Sequence, residues 1–472
     1  MCSISGVYSK RGEDVSGVAF ELLSGMRHRG PEAFGIKTPE GEKKSGSLKE
    51  LQPLPKGETA LGHSLLSITG HAVQPITSSG VSIAHNGQIY NFRDFNSWGE
   101  GSSDSEIIAG FFAKKLQKTP MPSATKQFMQ KARGEYAIGL LHKKKLFAFR
   151  DPLGIRPLWF GENDSFIAFA SEPHALIKVD LNFPRPLLPG HLLEVTEKGV
   201  EVKKIFSMDD FRKTVPKKHS QEALLREFEK TISLQTIGLE KAAVLFSGGV
   251  DSSLIAKAVS QRVPKTRLFV AGVEGSPDLL FAEKAAKQMG LGLEAIELSE
   301  SDVQRLAIVS MKALSFFDEM QVGIAVPELA CAERISGQGF KVVFSGQGSD
   351  EVFAGYSSYS KALKENGYSG VERETWFSLS RMWSRNFHRD DAVTARHSLE
   401  LRVPLVSQNF LREAMAFPAK EKIVSESDSL RKHPLREIAR QYGLPEEVIA
   451  RPKKAMQYGS GVQKIVSRLL RA

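Results

Sequence analysis

An apolar stretch, Ala242-Ala243-Val244-Leu245-Phe246, runs into Ser247-Gly248-Gly249-Val250-Asp251-Ser252-Ser253 and then into the helix-forming Leu254–Val259. A buried strand that turns through two glycines into a helix is half of a parallel crossover, and few folds offer that arrangement. Leu268–Val273 and Lys341–Gly346 are further apolar runs of the same kind. Strands alternating with helices predict an α/β, doubly wound parallel sheet, whose ligands bind at the carboxyl ends of the strands.

The glycine run has the makings of an anion site, because backbone amides and serine hydroxyls converge at a helix N-terminus. It carries no lysine, so it is not the phosphate loop of P-loop NTPases. It resembles the pyrophosphate loop of enzymes that cleave ATP between the α and β phosphates. A carboxylate inside an anion site repels phosphate unless a cation intervenes, so Asp251 implies Mg²⁺. A second loop, Ser345-Gly346-Gln347-Gly348-Ser349-Asp350-Glu351, offers Asp350 as a second magnesium carboxylate. Ser345 and Gly346 would meet the nucleotide through their backbone.

At 472 residues the chain exceeds what one core supports, so more than one domain is expected. Residues 1–205 read as short strands between Gly, Pro and Asn turns, among them 60–68, 81–85 and 146–150. Helices are predicted over 19–26 and 106–116, the second capped by Ser103 with Glu106 three residues on. This half reads as an α+β layered domain over 2–205. A polar stretch, 206–221, containing Pro216, is the expected linker, with the α/β domain over 222–472.

Cys2 follows the initiator methionine. Methionine before a small residue is normally removed, which would leave a thiol and a free α-amine on one residue. The α-amine, with an ordinary pKa of about 7.7–8.0, can then act as base toward its own thiol. The only other cysteine, Cys331, reads as a core residue on a helix, so a disulfide framework is excluded. The eleven histidines show no paired helical spacing, and no His-ligated metal centre is expected. No apolar run reaches the roughly 18 residues of a membrane span, and no leader is visible, so a cytoplasmic location without a membrane partner is expected. The net charge of +10 comes from lysines and arginines spread along the chain. That spread suits anionic small substrates and a solvated surface better than nucleic acid.

Together these residues resemble the glutamine-dependent asparagine synthetases, in the family's order and over nearly the whole chain. The matching segments include Cys2–Gly6, Arg27–Glu32, His85–Asn91, Ser103–Glu106, Arg150–Leu158 and Ala170–Glu172. In the second half they are Ser247–Ser253, Gly275–Asp278, Ser345–Glu351 and Leu399–Pro404. The resemblance implies an N-terminal-nucleophile hydrolase sandwich (αββα) followed by a pyrophosphate-loop synthetase, with ammonia passing internally between them. It implies Cys2 as nucleophile, with Asn86 and Gly87 stabilising the oxyanion. Glutamine would be held by Leu66, Ser67, Ile68, Gln88 and Asp104. Leu245, Ser247, Gly248, Gly249, Asp251, Ser252, Ser253, Ala271, Ser345, Gly346 and Lys453 would bind ATP. Lys454, adjacent in Arg451-Pro452-Lys453-Lys454, is the alternative for the last of these. Glutamine, aspartate and ATP are the implied substrates, and a homodimer is an allowed assembly.

Three residues depart from the family pattern. Leu65 stands where many members have an arginine for the glutamine carboxylate, a charge-assisted contact of roughly 1.5–3 kcal/mol. Arg29 and Arg27 are the candidate replacements. Gln88 replaces a glutamate, and its amide oxygen can still accept a hydrogen bond. Gln347 replaces a glutamate thought to aid amide formation, and an amide cannot serve as a base. Gln347 and Glu351 are therefore the acceptor and specificity positions. The expected activity is asparagine synthesis with AMP and pyrophosphate released; a different carboxylate acceptor is the alternative.

Overall fold

The computed structural model describes residues 1–95, 101–315, 318–453 and 456–469, with the side chain of Gln457 excepted. Lys454 lies outside the described residues. The chain divides into two compact units, Met1–Arg212 and Lys213–Ala472.

The first unit contains β1 (Ser3–Ser9), β2 (Ala33–Lys37), β3 (Glu42–Ser45), β4 (Thr59–Leu65), β5 (Ile76–Ser78), β6 (Val81–Ile89), β7 (Gly134–His142), β8 (Lys145–Arg150), β9 (Trp159–Glu162), β10 (Phe166–Ala170), β11 (Arg185–Pro186), β12 (His191–Thr196) and β13 (Gly199–Lys204). They form two antiparallel sheets, ordered β11-β9-β10-β1-β4-β2-β3 and β13-β12-β8-β7-β6-β5. Ile4, Leu61 and Phe169 of one sheet pack against Ala84, Ala137 and Leu193 of the other. Helix Ser16–Gly25 covers the outer face of the first sheet, and helices Asp104–Lys115 and Met121–Lys131 that of the second. The result is the αββα sandwich. The first helix starts earlier than its apolar run suggests, because Asp14 accepts from the Ser16 amide at 3.0 Å. The capping box of Ser103 and Glu106 forms.

Within 206–221 the chain is not featureless. Ser207 and Asp210 bond reciprocally and start a short helix, Met208–Arg212, that buries Phe211.

The second unit is built on β14 (Lys241–Leu245), β15 (Lys265–Val273), β16 (Leu293–Leu298), β17 (Val342–Phe344) and β18 (Glu400–Arg402). All neighbours are parallel, in the order β16-β15-β14-β17-β18. The chain winds outward in both directions from β14, so the switch point lies between β14 and its neighbours. Cys331 is buried on helix Glu319–Gly337. No described helix is long and apolar enough to cross a membrane.

Candidate functional site

In the first unit Cys2 lies immediately before β1, level with the end of β4. The Leu66 amide donates to Sγ of Cys2 at 3.4 Å. Ser67 and Ile68 continue the bend after β4, and the Ser67 amide donates to Glu32 Oε2 at 3.1 Å. β1 packs across the sandwich against β6, which carries Asn86, Gly87 and Gln88 near its end. Asn86 is fully buried, and neither its Nδ2 nor its Oδ1 has a hydrogen-bond partner. A buried amide without partners costs about 1–3 kcal/mol, so it reads as a group awaiting a ligand. Gly87 has φ +135° and runs so close to β7 that a Cβ would sit 1.9 Å from the Glu135 carbonyl oxygen. Only glycine fits there. Asp104, at the first turn of its helix, accepts from the Ile89 amide at 2.9 Å, next to Gln88.

The Arg29 side chain is fully buried, with Nη1 2.7 Å from Glu172 Oε1 and Nε donating to the Cys2 carbonyl at 3.0 Å. These contacts hold the Cys2 backbone, and the guanidinium faces Glu172 rather than solvent. Leu65 is buried and Arg27 is exposed. Met1 is also fully buried, its amine donating to the Arg29 carbonyl and its sulfur facing the guanidiniums of Arg29 and Arg156. The fold brings His28 and His174 to Glu172 at 3.1 Å each, a group whose ligand atoms lie within 4.8 Å of one another. No helical spacing marks these residues in the sequence. Glu172 is already tied to Arg29. Burial would raise its carboxyl, but His28 and Arg29 outweigh that and hold it well below the usual range.

In the second unit an open cavity lies at the carboxyl ends of β14, β15 and β17. Leu245, Ser247, Asp251, Ser252, Ala271, Ser345, Gly346, Gln347, Asp350 and Lys453 all line it. A smaller cavity of about 360 Å³ carries Gly249 and four cations, Lys432, Arg436, Arg451 and Lys453. Such a concentration of positive charge at a helix N-terminus is an anion site. Gly248, at φ +70°, makes the turn, and Ser253 is fully buried in the helix behind it. Gly248 and Ser253 are not among the residues lining these two cavities, though Ser247 and Gly249 on either side of Gly248 are. Glu351 Oε1 accepts from Tyr356 and Asn386, both at 2.9 Å.

Lys432 carries no motif and was not expected. Its Nζ lies 2.6 Å from Asp251 Oδ2 and 2.7 Å from Asp350 Oδ1, while Lys453 Nζ lies 2.7 Å from Asp350 Oδ2. Burial would raise the Asp350 carboxyl, but the two ammoniums hold it below the usual range. Arg451 donates to the Ser247 carbonyl at 2.5 Å and pairs with Asp278 at 2.9 Å. Asp251 Oδ1 is buried without a hydrogen bond. Two carboxylates converging on one point, one with a spare oxygen, fit a hard divalent cation.

A sandwich with a cysteine at the head of its first strand, joined to a parallel sheet with an anion pocket at its switch point, defines an amidotransferase ligase. The chain belongs to the asparagine synthase family, which it matches over residues 223–370 and 361–472, more than half its length. Residues 1–187 match the glutamine amidotransferase domain. A provisionally named glutamine-hydrolyzing asparagine synthetase of Methanocaldococcus jannaschii is 28% identical, over 99% of this chain and 95% of its own length. The glutamine-hydrolyzing asparagine synthetase of Homo sapiens is 28% identical, over 96% of this chain and 84% of its own.

Proposed function

We propose that this protein makes asparagine from aspartate, ATP and glutamine, releasing glutamate, AMP and pyrophosphate. The observation that carries the reading is the cavity pair at the switch point, where Ser247, Asp251, Asp278 and Lys453 line both the larger cavity and the pocket of four cations. In the first unit, with Met1 removed, the Cys2 α-amine takes the thiol proton and the thiolate attacks the glutamine side-chain amide. The Asn86 amide and the Gly87 N–H then stabilise the oxyanion, and water releases glutamate from the thioester. In the second unit, the aspartate β-carboxylate attacks the ATP α-phosphate and pyrophosphate departs. Lys432, Arg451 and Lys453 neutralise the leaving charge. Asp251 and Asp350 would hold Mg²⁺, which supplies further neutralisation of the phosphate oxygens. Ammonia from the first reaction displaces AMP from the acyl-adenylate.

A second reading, another carboxylate acceptor, is favoured by Gln347. It lines the cavity with its Nε2 buried and without a hydrogen bond, where a base would be expected. Pyrophosphate release with ATP, Mg²⁺ and glutamine, with and without aspartate, tests both. Aspartate-dependent release with asparagine formed supports the first. Release that depends on another carboxylate instead supports the second.

A further inference from the structure

The larger cavity carries on its wall a carboxyl that ATP does not explain. Glu328, on helix Glu319–Gly337, lines this cavity and is 6% exposed. Behind it, on helix His388–Ala395, stand Arg389 and Asp390, both buried. Arg389 gives its short contact to Asp390, Nη2 to Oδ1 at 2.6 Å, and Nη1 donates to Gln321 at 2.9 Å. Glu328 is left with the long contact, 3.5 Å from Arg389 Nε, and its Oε2 makes no hydrogen bond. One guanidinium thus serves two carboxyls, which also hydrogen-bond to each other, and Glu328, the one on the cavity wall, has the longer contact to it. A buried carboxyl in this state is costly unless a donor completes it.

An ATP site has use for cations at its phosphates, and these are supplied by Lys453 and its neighbours around the Ser247 loop. A surplus carboxyl repels phosphate. It suits a ligand group that is positive and donates hydrogen bonds. We infer that Glu328 is the residue that receives the ammonium group of an amino-acid acceptor, with Arg389 and Asp390 as the positioning pair behind it. Such an acceptor spans the cavity with its reacting carboxylate toward those cations and its ammonium toward Glu328. Burial and the neighbouring Asp390 push the Glu328 carboxyl well above its ordinary range, and an ammonium placed against it would oppose that push. Gln347, on the same wall, leaves Glu328 as the acidic side chain of the cavity outside the cluster around Lys432 and Lys453, apart from Asp278, which Arg451 neutralises.

This inference rests on the reading of the cavity as an acyl-activating site and specifies its substrate as an acid with a free ammonium. The test is calorimetric binding to the full chain, with a non-hydrolysable ATP analogue present, of matched acids with and without the ammonium: aspartate and succinate, glutamate and glutarate. For the preferred pair, the ammonium-bearing acid binds more tightly, and Glu328→Gln weakens it by roughly tenfold or more, the worth of one charge-assisted hydrogen bond. The same variant leaves the succinate or glutarate affinity within about twofold, and Glu328→Asp restores part of the loss. Equal binding of both members of a pair, or no binding of either amino acid, overturns the inference. So does a loss of analogue affinity in Glu328→Gln without a loss of acceptor affinity, which would assign Glu328 to the adenine. If glutamate binds in this way and aspartate does not, the inference stands and the assignment of asparagine as product fails.

Discussion

The Lys432 ammonium lies 2.6 Å from Oδ2 of Asp251, although 181 residues separate the two along the chain. A carboxylate at the heart of an anion pocket is tolerable because this buried cation stands against it, with or without a metal. Replacing Lys432 by Met removes the cation shared by Asp251 and Asp350 and leaves Lys453, at Asp350 Oδ2, as the remaining ammonium against the pair. The expected result is a loss of roughly 3–5 kcal/mol of stability for the second unit and of ATP-dependent pyrophosphate release. Thermal melting and the pyrophosphate assay check this; an active, undestabilised Lys432→Met protein would contradict it.

Asn86 should separate activity from stability. Its amide is buried without partners, so Asn86→Ala removes nothing that holds the fold together. Glutamine hydrolysis is expected to fall by about 10²–10³, as for other oxyanion donors, while the melting temperature holds or rises. A large drop in melting temperature would show that the amide is structural.

Arg29 is expected to act on rate rather than on substrate affinity. Since it grips the Cys2 carbonyl and Glu172, Arg29→Lys should lower kcat for glutamine hydrolysis with little change in KM. Steady-state kinetics decide this, and a selective rise in KM would return Arg29 to the substrate carboxylate.

Lys422 introduces a pH dependence. It is buried, donates to the Val352 carbonyl at 2.9 Å, and burial pushes its ammonium down to about 7. The unfolded side chain keeps a value near 10.4. Between these limits the unfolded chain holds a proton that the folded chain has released, so stability rises with pH over that window. Lys422→Met should flatten this rise and stabilise the protein at pH 7 by roughly 1–2 kcal/mol. Urea melts at pH 7 and pH 9.5 measure both effects; an unchanged slope refutes the assignment.

Local chemistry in the sequence was enough to read the strand–loop–helix at Ser247 and the capping box at Ser103, while Gly87 was marked by resemblance alone. The loop and the cap are each decided within a few residues by propensity, hydrogen bonding or backbone conformation. The order of the sheets and the αββα layering followed from resemblance rather than from periodicity. What escaped were the pairings made across the fold. Lys432 meets Asp251 only after the sheet is assembled, and no motif announces it. Arg29 looked available along the chain because nothing nearby in sequence reveals Glu172, 143 residues away, as its partner. Glu328 sits in a helix that reads as plain core, and its place on a cavity wall depends on three strands that precede and follow it.

The last strand of the parallel sheet ends at Arg402, yet all four cations of the smaller pocket, Lys432, Arg436, Arg451 and Lys453, come later. A chain emerging from the ribosome would complete the scaffold of this unit while its pocket still carried the charge of Asp251 and Asp350 alone. It would have no hold on a polyphosphate until the final stretch docked. The positive charge of the pocket is thereby tied to residues 432–453, and a product broken off soon after the sheet has formed would have the strands without those cations.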